Sequence, residues 1–163
     1  IIDQILDAGR MAPSGMNLQP WKFYVVTDHS LIHDFDQQVS LVVKDIYSMP
    51  EMTEFINKPN AIFHGAPVVI FLTAPKMDEW AALDVGMCAQ NIMLSAKSLG
   101  LDTCPVGLGK FIERTSFYSL LNIPESENIL ISLTLGYGNE SLATHERKKD
   151  NVVYVRPGLA HKV

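Results

Sequence analysis

The chain has 163 residues, of which 47% are apolar and 19% are charged, and its formal net charge at pH 7 is −5. Since a chain of this length can build its own hydrophobic core, we expect a single domain over residues 1–163. The acidic balance argues against a nucleic-acid partner, which would require a surplus of Lys and Arg, and apolar runs such as residues 67–72 are too short to span a membrane.

The first third of the chain carries clear secondary-structure signals. Apolar residues recur at helical spacing over residues 1–9 and again over residues 31–46, which predicts two amphipathic helices. Between them, residues 21–27 alternate and are rich in β-forming types, which predicts a strand. Asp28 or Ser30 can cap the second helix at its N-terminus.

A second series of elements follows in the middle of the chain. Residues 49–64 have no clear period, whereas residues 66–73 are almost all apolar, which predicts a buried central strand. Residues 80–99 carry apolar side chains on nearly every side, so we expect this helix to lie in the core or against a second subunit. We further expect a short strand over residues 101–106 and a helix over residues 111–121.

The last part of the chain begins apolar and becomes polar. Residues 129–137 predict the final core strand, and residues 139–151 are polar and charged. Residues 152–155 are a short β-prone run, and an isolated strand at this position requires a sheet edge with which to pair.

The two cysteines, Cys88 and Cys104, allow at most one disulfide. Cys88 lies within a helical apolar pattern, so we expect buried thiols in a reducing, cytoplasmic compartment. Neither cysteine has a metal-ligand partner at a useful spacing. His29 and His33 can lie one turn apart on a helix, but exposed helix histidines are far commoner than metal ligands, so we expect no metal site.

The most distinctive segment is the loop over residues 12–21, Ala-Pro-Ser-Gly-Met-Asn-Leu-Gln-Pro-Trp, which we call the proline loop. Its prolines remove backbone donors and prevent the segment from continuing either a helix or a central strand. Ser14, Asn17 and Gln19 offer donors and acceptors that suit a planar heteroaromatic ligand edged with carbonyls and ring nitrogens. The alternative is an ordinary surface turn, since any loop uses these residue types.

The sequence contains no convincing set of hydrolytic residues. Ser14 lacks the Gly-x-Ser-x-Gly context of a nucleophile, and no two carboxylates stand at an obviously catalytic spacing. Gly107-Leu108-Gly109 lacks the third glycine and the acidic residue of a dinucleotide-binding fingerprint. We therefore expect no catalytic side chain.

Three segments of the chain resemble motifs of the FMN-dependent nitroreductase family. The first is the proline loop with the Phe-Tyr-Val-Val strand that follows it. The second is residues 84–96, which run into Leu-Gly-Leu at 99–101 and are similar to the family's central helix and next strand. The third is residues 133–138, Leu-Thr-Leu-Gly-Tyr-Gly, which are similar to the family's late strand. The resemblance covers residues 1–155.

The resemblance implies an α+β, nitroreductase-like three-layer fold, in which a mainly antiparallel central sheet lies between helices. It implies a homodimer with two FMN sites, in which the C-terminal segment of each chain reaches the other subunit's sheet. The implied activity is hydride transfer from NADH or NADPH to a nitroaromatic, quinone or similar electron-poor acceptor by a ping-pong mechanism. The lack of a catalytic side chain agrees with this activity, because a flavin transfers hydride on its own ring.

Two alternatives stay open from the sequence. One is an enzyme of the same fold with other flavin chemistry, such as reductive dehalogenation, flavin fragmentation or azoline oxidation. The other is a flavin-binding or sensory module that catalyses no turnover.

The resemblance also implies which residues form the flavin site. Four residues match the loop that approaches the isoalloxazine ring, commonly from the partner subunit: Pro13, Ser14, Asn17 and Gln19. Four others match a strand end that covers the other side of the ring, where a backbone N–H donates to flavin N5: Cys104, Pro105, Val106 and Gly107. Relatives place a Glu-Gly pair or a Trp at this strand end, so the chain departs from the family there. A plain strand-to-helix turn is the alternative interpretation.

Arg147 and Lys149 match two late basic positions of the family and would hold the flavin phosphate. As alternate residues of a β-prone segment they would point the same way, although such a charge run is by itself typical of a solvated surface. Family members usually carry an Arg-Arg-Ser-x-Arg segment just before the first helix. This sequence begins after that point, so either the segment lies outside it or other groups bind the phosphate. Arg10 is the nearest cation, and is either a ligand or dimer contact or a structural salt bridge.

Overall fold

The computed structural model describes residues 1–140 and 143–155. Its sheet contains four antiparallel strands: β1 (Lys22–Val26), β2 (Val68–Pro75), β3 (Asp102–Val106) and β4 (Glu127–Gly136). Their order in the sheet is β1-β2-β4-β3, so β2 and β4 are central while β1 and β3 form the edges. The four core strands predicted from the sequence are confirmed.

In the described part of the chain, four α-helices accompany the sheet: α1 (Ile2–Arg10), α2 (His29–Ile46), α3 (Pro50–Ile56) and α4 (Ala81–Ser98). The first, second and fourth confirm the predicted helices, and α3 lies in the segment for which the sequence showed no clear period. None of the helices within the described residues is long and apolar enough to cross a membrane.

The sheet buries both of its faces. Along β2, Ile70 and Leu72 pack with α1 and α4 on one face, whereas Val69 and Phe71 pack with α2 on the other. Because successive side chains of a strand point to opposite faces, the continuous apolar run of β2 is the pattern of a strand covered on both sides. The expected three-layer α+β fold is therefore confirmed.

Local sequence signals determine where two helices begin and end. Asp28 is the N-cap of α2, and its Oδ1 accepts a hydrogen bond from the N–H of Leu31 at 2.9 Å, while the Ser30 hydroxyl donates to the same oxygen at 2.6 Å. After α4, Gly100 has a φ of +78°, a left-handed conformation that glycine adopts without steric cost. The chain turns there into β3.

The single helix expected over residues 111–121 is wrong. The chain instead forms two 3-10 helices, Gly107–Arg114 and Ser116–Leu121, separated by Thr115 in an extended conformation. The N–H and the hydroxyl of Thr115 both donate to the carbonyl of Ile112, at 3.0 and 2.9 Å. A side chain that competes in this way for a helix carbonyl interrupts the helix.

The strand expected at residues 152–155 is also not formed in this single chain. Residues 143–155 have no regular secondary structure, and Val153, Tyr154 and Val155 are 78%, 81% and 92% exposed. A strand requires a neighbour to satisfy its backbone groups. Within the described residues, the edge strands β1 and β3 pair with β2 and β4 alone, so the segment has no strand partner.

Candidate active site

The proline loop follows one irregular path, as its prolines predict. Gly15–Asn17 form a short 3-10 turn, and Met16, Asn17 and Gln19 have left-handed backbone conformations with φ of 50°, 58° and 49°. The Ser14 Oγ closes the loop by accepting a hydrogen bond from the N–H of Gln19 at 2.9 Å. Since each such conformation costs about 1 kcal/mol or more outside glycine, surrounding contacts must hold the loop.

Helix α4 and the core anchor the proline loop at both ends. Asp84, in the first turn of α4, is 3% exposed, and its Oδ1 and Oδ2 accept hydrogen bonds from the N–H of Gly15 at 3.2 and 3.1 Å. Two turns later in α4, Asn91 Nδ2 donates to the carbonyl of Ala8 at 3.1 Å, which attaches α4 to α1, the helix that precedes the loop. Trp21 is buried in the core with α1 and α4. Asp84 was not among the expected site residues; an acid within an apolar helical pattern is the signal that would have identified it.

The proline loop presents a polar edge to the surface of this chain. Pro13, Asn17 and Gln19 are exposed, and Ser14 is half-buried. Gln19 Nε2 donates to Asn17 Oδ1 at 3.3 Å, and because both residues are exposed, the remaining donors and acceptors of the two amides are accessible for further bonds. The four loop residues expected in the site therefore lie together.

The second expected group lies at the end of the edge strand β3. Cys104 is half-buried, Pro105 and Gly107 are exposed, and Val106 is buried. The carbonyl of Val106 accepts a hydrogen bond from Ser132 Oγ at 2.8 Å, which fixes the backbone. Among the described residues, apart from its chain neighbours, nothing lies within 4 Å of where a Cβ of Gly107 would stand. A planar ring can therefore approach this backbone closely.

The Cys104 thiol at this strand end is not an activated nucleophile. Burial raises its pKa above the ordinary value, and the reactive form of a cysteine is the thiolate. The thiol is therefore protonated at neutral pH.

One chain does not bring the loop and the strand end together. The proline loop packs on the face covered by α1 and α4, whereas the strand end leads into the layer on the opposite face. The adjoining strands β1 and β3 are opposite edges of the sheet, and at a strand spacing of about 4.8 Å they lie about 14 Å apart. The chain thus presents these two groups, which we call the candidate half-sites, on opposite sides of its sheet.

The two basic residues expected at the phosphate lie in the exposed, irregular segment 143–155. Arg147 Nη1 donates to the carbonyl of His145 at 3.2 Å. Because the segment is not a strand in this chain, strand alternation does not align the side chains of Arg147 and Lys149.

Arg10 has partners within its own chain. It forms an ion pair with Asp7 at 2.5 Å, and its guanidinium carbon lies 5.5 Å from the ring centre of Phe23, which favours the structural salt bridge among its expected roles. Within residues 1–140 and 143–155, no three His, Cys, Asp or Glu side chains are grouped so that they could hold a metal ion.

A buried carboxylate that the sequence analysis missed, Glu127, joins three strands near the start of β1. Glu127 is 5% exposed and accepts hydrogen bonds from the Lys22 ammonium, from the Thr73 hydroxyl at 2.8 Å and from the Tyr24 hydroxyl at 3.2 Å. Burial by itself raises its pKa, but these donors outweigh burial and hold the pKa of Glu127 below its usual value. The cluster fixes the strand that follows the proline loop.

The chemistry of the two half-sites fits the flavin that the resemblance implies. The amides of Asn17 and Gln19 match an edge of carbonyls and ring nitrogens, and the bare backbone at Gly107 admits a planar ring. Arg147 and Lys149 are exposed cations of the kind that binds a phosphate.

Comparison with known proteins identifies the family. A model of the Nitroreductase family matches residues 1–137. The chloronitrobenzene nitroreductase of Comamonas testosteroni is 26% identical, over 93% of this chain and 83% of the relative. The structure of a nitroreductase with bound FMN from Desulfitobacterium hafniense is 27% identical with a TM-score of 0.84, over 95% of this chain and 86% of that chain. A structure of iodotyrosine deiodinase bound to FMN and 3-iodo-L-tyrosine, 21% identical over the same shares of the two chains with a TM-score of 0.72, has the same fold. The chain belongs to the nitroreductase family.

Proposed function

We propose that this protein is an FMN-dependent oxidoreductase that takes hydride from NADH or NADPH and passes it to a nitroaromatic, a quinone or a similar electron-poor acceptor. The observation that carries the proposal is the proline loop, whose exposed amides Asn17 and Gln19 lie on one fixed edge in left-handed conformations. The family match over residues 1–137 supports the reaction class.

FMN, when bound, supplies the redox chemistry, because a flavin ring accepts hydride from a nicotinamide and returns it to an acceptor. The chain supplies binding, orientation and charge. Pro13, Ser14, Asn17 and Gln19 would bind one side of the ring, Cys104, Pro105, Val106 and Gly107 would cover the other side, and Arg147 and Lys149 would hold the phosphate. The free thiols of Cys88 and Cys104 agree with a reducing compartment, and we place the protein in the cytoplasm.

The functional unit in this proposal is a homodimer, in which the proline loop of one chain meets the strand end of its partner. The position of the two half-sites on opposite edges of one sheet supports this arrangement. The outer face of α4 exposes Leu83 and Leu94, at 59% and 60%, and the proline loop exposes Met16 at 92%. Large apolar side chains exposed to this degree are typical of a subunit interface.

The C-terminal segment completes the proposed dimer. Residues 152–155 are apolar, β-prone and exposed, and they gain strand hydrogen bonds when they pair with a sheet edge of the partner. If the paired strand extends back to residue 147, Arg147 and Lys149, as alternate residues, would point the same way, toward the proposed phosphate site.

The nicotinamide and the acceptor would both react at the same ring, so we propose that they occupy the site in turn, in a ping-pong mechanism. A second candidate function is reductive dehalogenation, because an iodotyrosine deiodinase has this fold. Product analysis separates the two: a nitro group or quinone is reduced in the first case, and halide is released in the second. A flavin-binding module without turnover would bind FMN but would not oxidise NADH or NADPH.

The double variant Asn17→Ala/Gln19→Ala tests the flavin site. We expect weaker FMN binding, because two polar contacts of about 1 kcal/mol each are lost, which corresponds to a roughly 30-fold rise in Kd. Both side chains are exposed, so the apo-protein should stay folded, with a small fall in melting temperature because Ala tolerates the positive φ of position 17 less well than Asn. Fluorescence titration with FMN and thermal melting measure the two effects, and Gln37→Ala, an exposed amide on α2, is the matched control. An unchanged Kd in the double variant would reject the proline loop as the flavin site.

A further inference from the structure

We infer that Asp84 is a positioning residue, whose carboxylate holds the proline loop in the conformation that binds the flavin. The inference rests on the proposed function for the identity of the ligand. Asp84 contacts the loop backbone through the N–H of Gly15, and Gly15 is the first residue of the 3-10 turn that carries Asn17.

The burial of Asp84 makes this contact strong. The side chain is 3% exposed. Asp84 forms no ion pair within residues 1–140 and 143–155, where the ion pairs use the carboxylates of Asp7, Asp102 and Glu127. A buried carboxylate without a cation depends on N–H donors. The N–H of Gly15 is such a donor, and the positive end of the α4 dipole, near the first turn in which Asp84 lies, adds to it.

The proline loop depends on this contact because its own backbone is strained. Met16, Asn17 and Gln19 all have positive φ, and such conformations persist where the surroundings impose them. The bond from Gln19 N–H to Ser14 Oγ lies within the loop, so it closes the loop without attaching it to the fold. Asp84 supplies the attachment to α4 at the point where the turn begins.

Removal of the carboxylate therefore lets the loop leave its position over α4. FMN then binds only the fraction of molecules in which the loop is correctly placed, and the apparent Kd rises in proportion. A hydrogen bond to a charged group corresponds to a change of roughly tenfold or more, so we expect an increase of that size in the FMN Kd.

The bond can be broken from either side. Asp84→Ala removes the acceptor, and Gly15→Pro removes the donor. The backbone of this position accepts proline, because Gly15 begins the 3-10 turn and Ser14 before it is extended, with φ −145° and ψ 156°. The proline ring takes the place of the N–H hydrogen and so also displaces the Asp84 oxygens, which lie 3.1 and 3.2 Å from the Gly15 nitrogen. Gly15→Ala is the matched control: it keeps the N–H, and its Cβ would stand 3.8 Å from Asp84 Oδ2, an ordinary contact.

Two measurements on these variants test the inference. The first is hydrogen–deuterium exchange of the apo-protein at the Asn17 and Leu18 amides, which are hydrogen-bonded within the turn at 3.0 Å each, with β2 as the internal reference. The second is FMN titration. We expect Asp84→Ala and Gly15→Pro to speed exchange of the turn roughly tenfold, with β2 unchanged, and to raise the FMN Kd by a similar factor, whereas Gly15→Ala stays close to wild type.

The outcomes separate this inference from the proposed function. Unchanged turn exchange in both bond-breaking variants would overturn the inference, and so would faster exchange with an unchanged FMN Kd, which would give Asp84 a structural role alone. If Asp84→Ala does not fold, the comparison of Gly15→Pro with Gly15→Ala decides. Wild-type protein that binds no FMN would refute the proposed function and the flavin part of the inference, while exchange would still show whether Asp84 holds the loop.

Discussion

A substitution at Gly109 tests the packing next to the end of β3, where the second candidate half-site lies. A Cβ added at Gly109 would stand 2.0 Å from Ser132 Oγ and 3.1 Å from the ring of Phe63. Ser132 is fully buried, and its hydroxyl donates to the Val106 carbonyl at 2.8 Å. Gly109→Ala therefore displaces the Ser132 side chain and breaks that bond.

The expected destabilisation of Gly109→Ala has two parts. Overpacking of a filled core costs about 1–3 kcal/mol, and the unpaired buried hydroxyl and carbonyl cost about 1–3 kcal/mol more. We therefore expect the free energy of unfolding to fall by about 2–6 kcal/mol. The matched control is Gly107→Ala, because the described residues leave the space beside Gly107 open, and a change within about 0.5 kcal/mol is expected there.

Urea denaturation at one fixed protein concentration, followed by circular dichroism, measures these differences. The double variant Gly109→Ala/Ser132→Ala removes the hydroxyl that causes the severest contact. It should be more stable than the sum of the two single changes predicts, by about 1–2 kcal/mol. Wild-type stability in Gly109→Ala, or strict additivity in the double variant, would refute the packing argument.

Two further predictions concern titratable groups. The lowered pKa of Glu127 stabilises the fold above the unfolded-state pKa, near 4.5, and this contribution is lost as the pH falls through the lower folded-state pKa. Glu127→Gln should thus melt below wild type at pH 7 and approach it in acid, and a gap independent of pH would contradict the linkage. Burial raises the pKa of the Cys88 thiol to about 12, so iodoacetamide should label the half-buried Cys104 of native apo-protein first. Equal labelling rates, measured by peptide mass spectrometry, would show that Cys88 is not protected.

Local patterns in the sequence were sufficient to predict most of the fold. The period of α2, the continuous apolar run of β2 and the alternation of β1 are properties of neighbouring residues, and each was predicted correctly. The helix expected after β3 was wrong because Thr115 diverts a carbonyl through a side-chain bond. The strand expected at residues 152–155 was wrong for this single chain for another reason: a strand requires a neighbouring strand, and none lies beside this segment within the described residues.

In the candidate site, the irregular path of the proline loop was predictable from the sequence, whereas the long-range contacts that hold it were not. The prolines and polar residues of the proline loop indicated a fixed ligand-facing path. By contrast, Asp84 meets Gly15 from 69 positions away, and Glu127 meets Lys22 from 105 positions away. No local pattern encodes such pairs. The same limit applies to Gly109. In the sequence, Gly109 resembles part of a dinucleotide-binding Gly-x-Gly motif. In the fold, a glycine is required there because Ser132 approaches the backbone closely.

The visible absorption spectrum of the purified protein tests the central claim most directly. It is recorded before and after excess FMN is added and unbound FMN is removed, and then with NADH and with NADPH under argon. We predict a retained flavin spectrum that bleaches with at least one of the two nicotinamides and returns when a nitroaromatic or a quinone is added. Protein that stays colourless after FMN, or a retained flavin that neither nicotinamide bleaches, would contradict the proposed oxidoreductase.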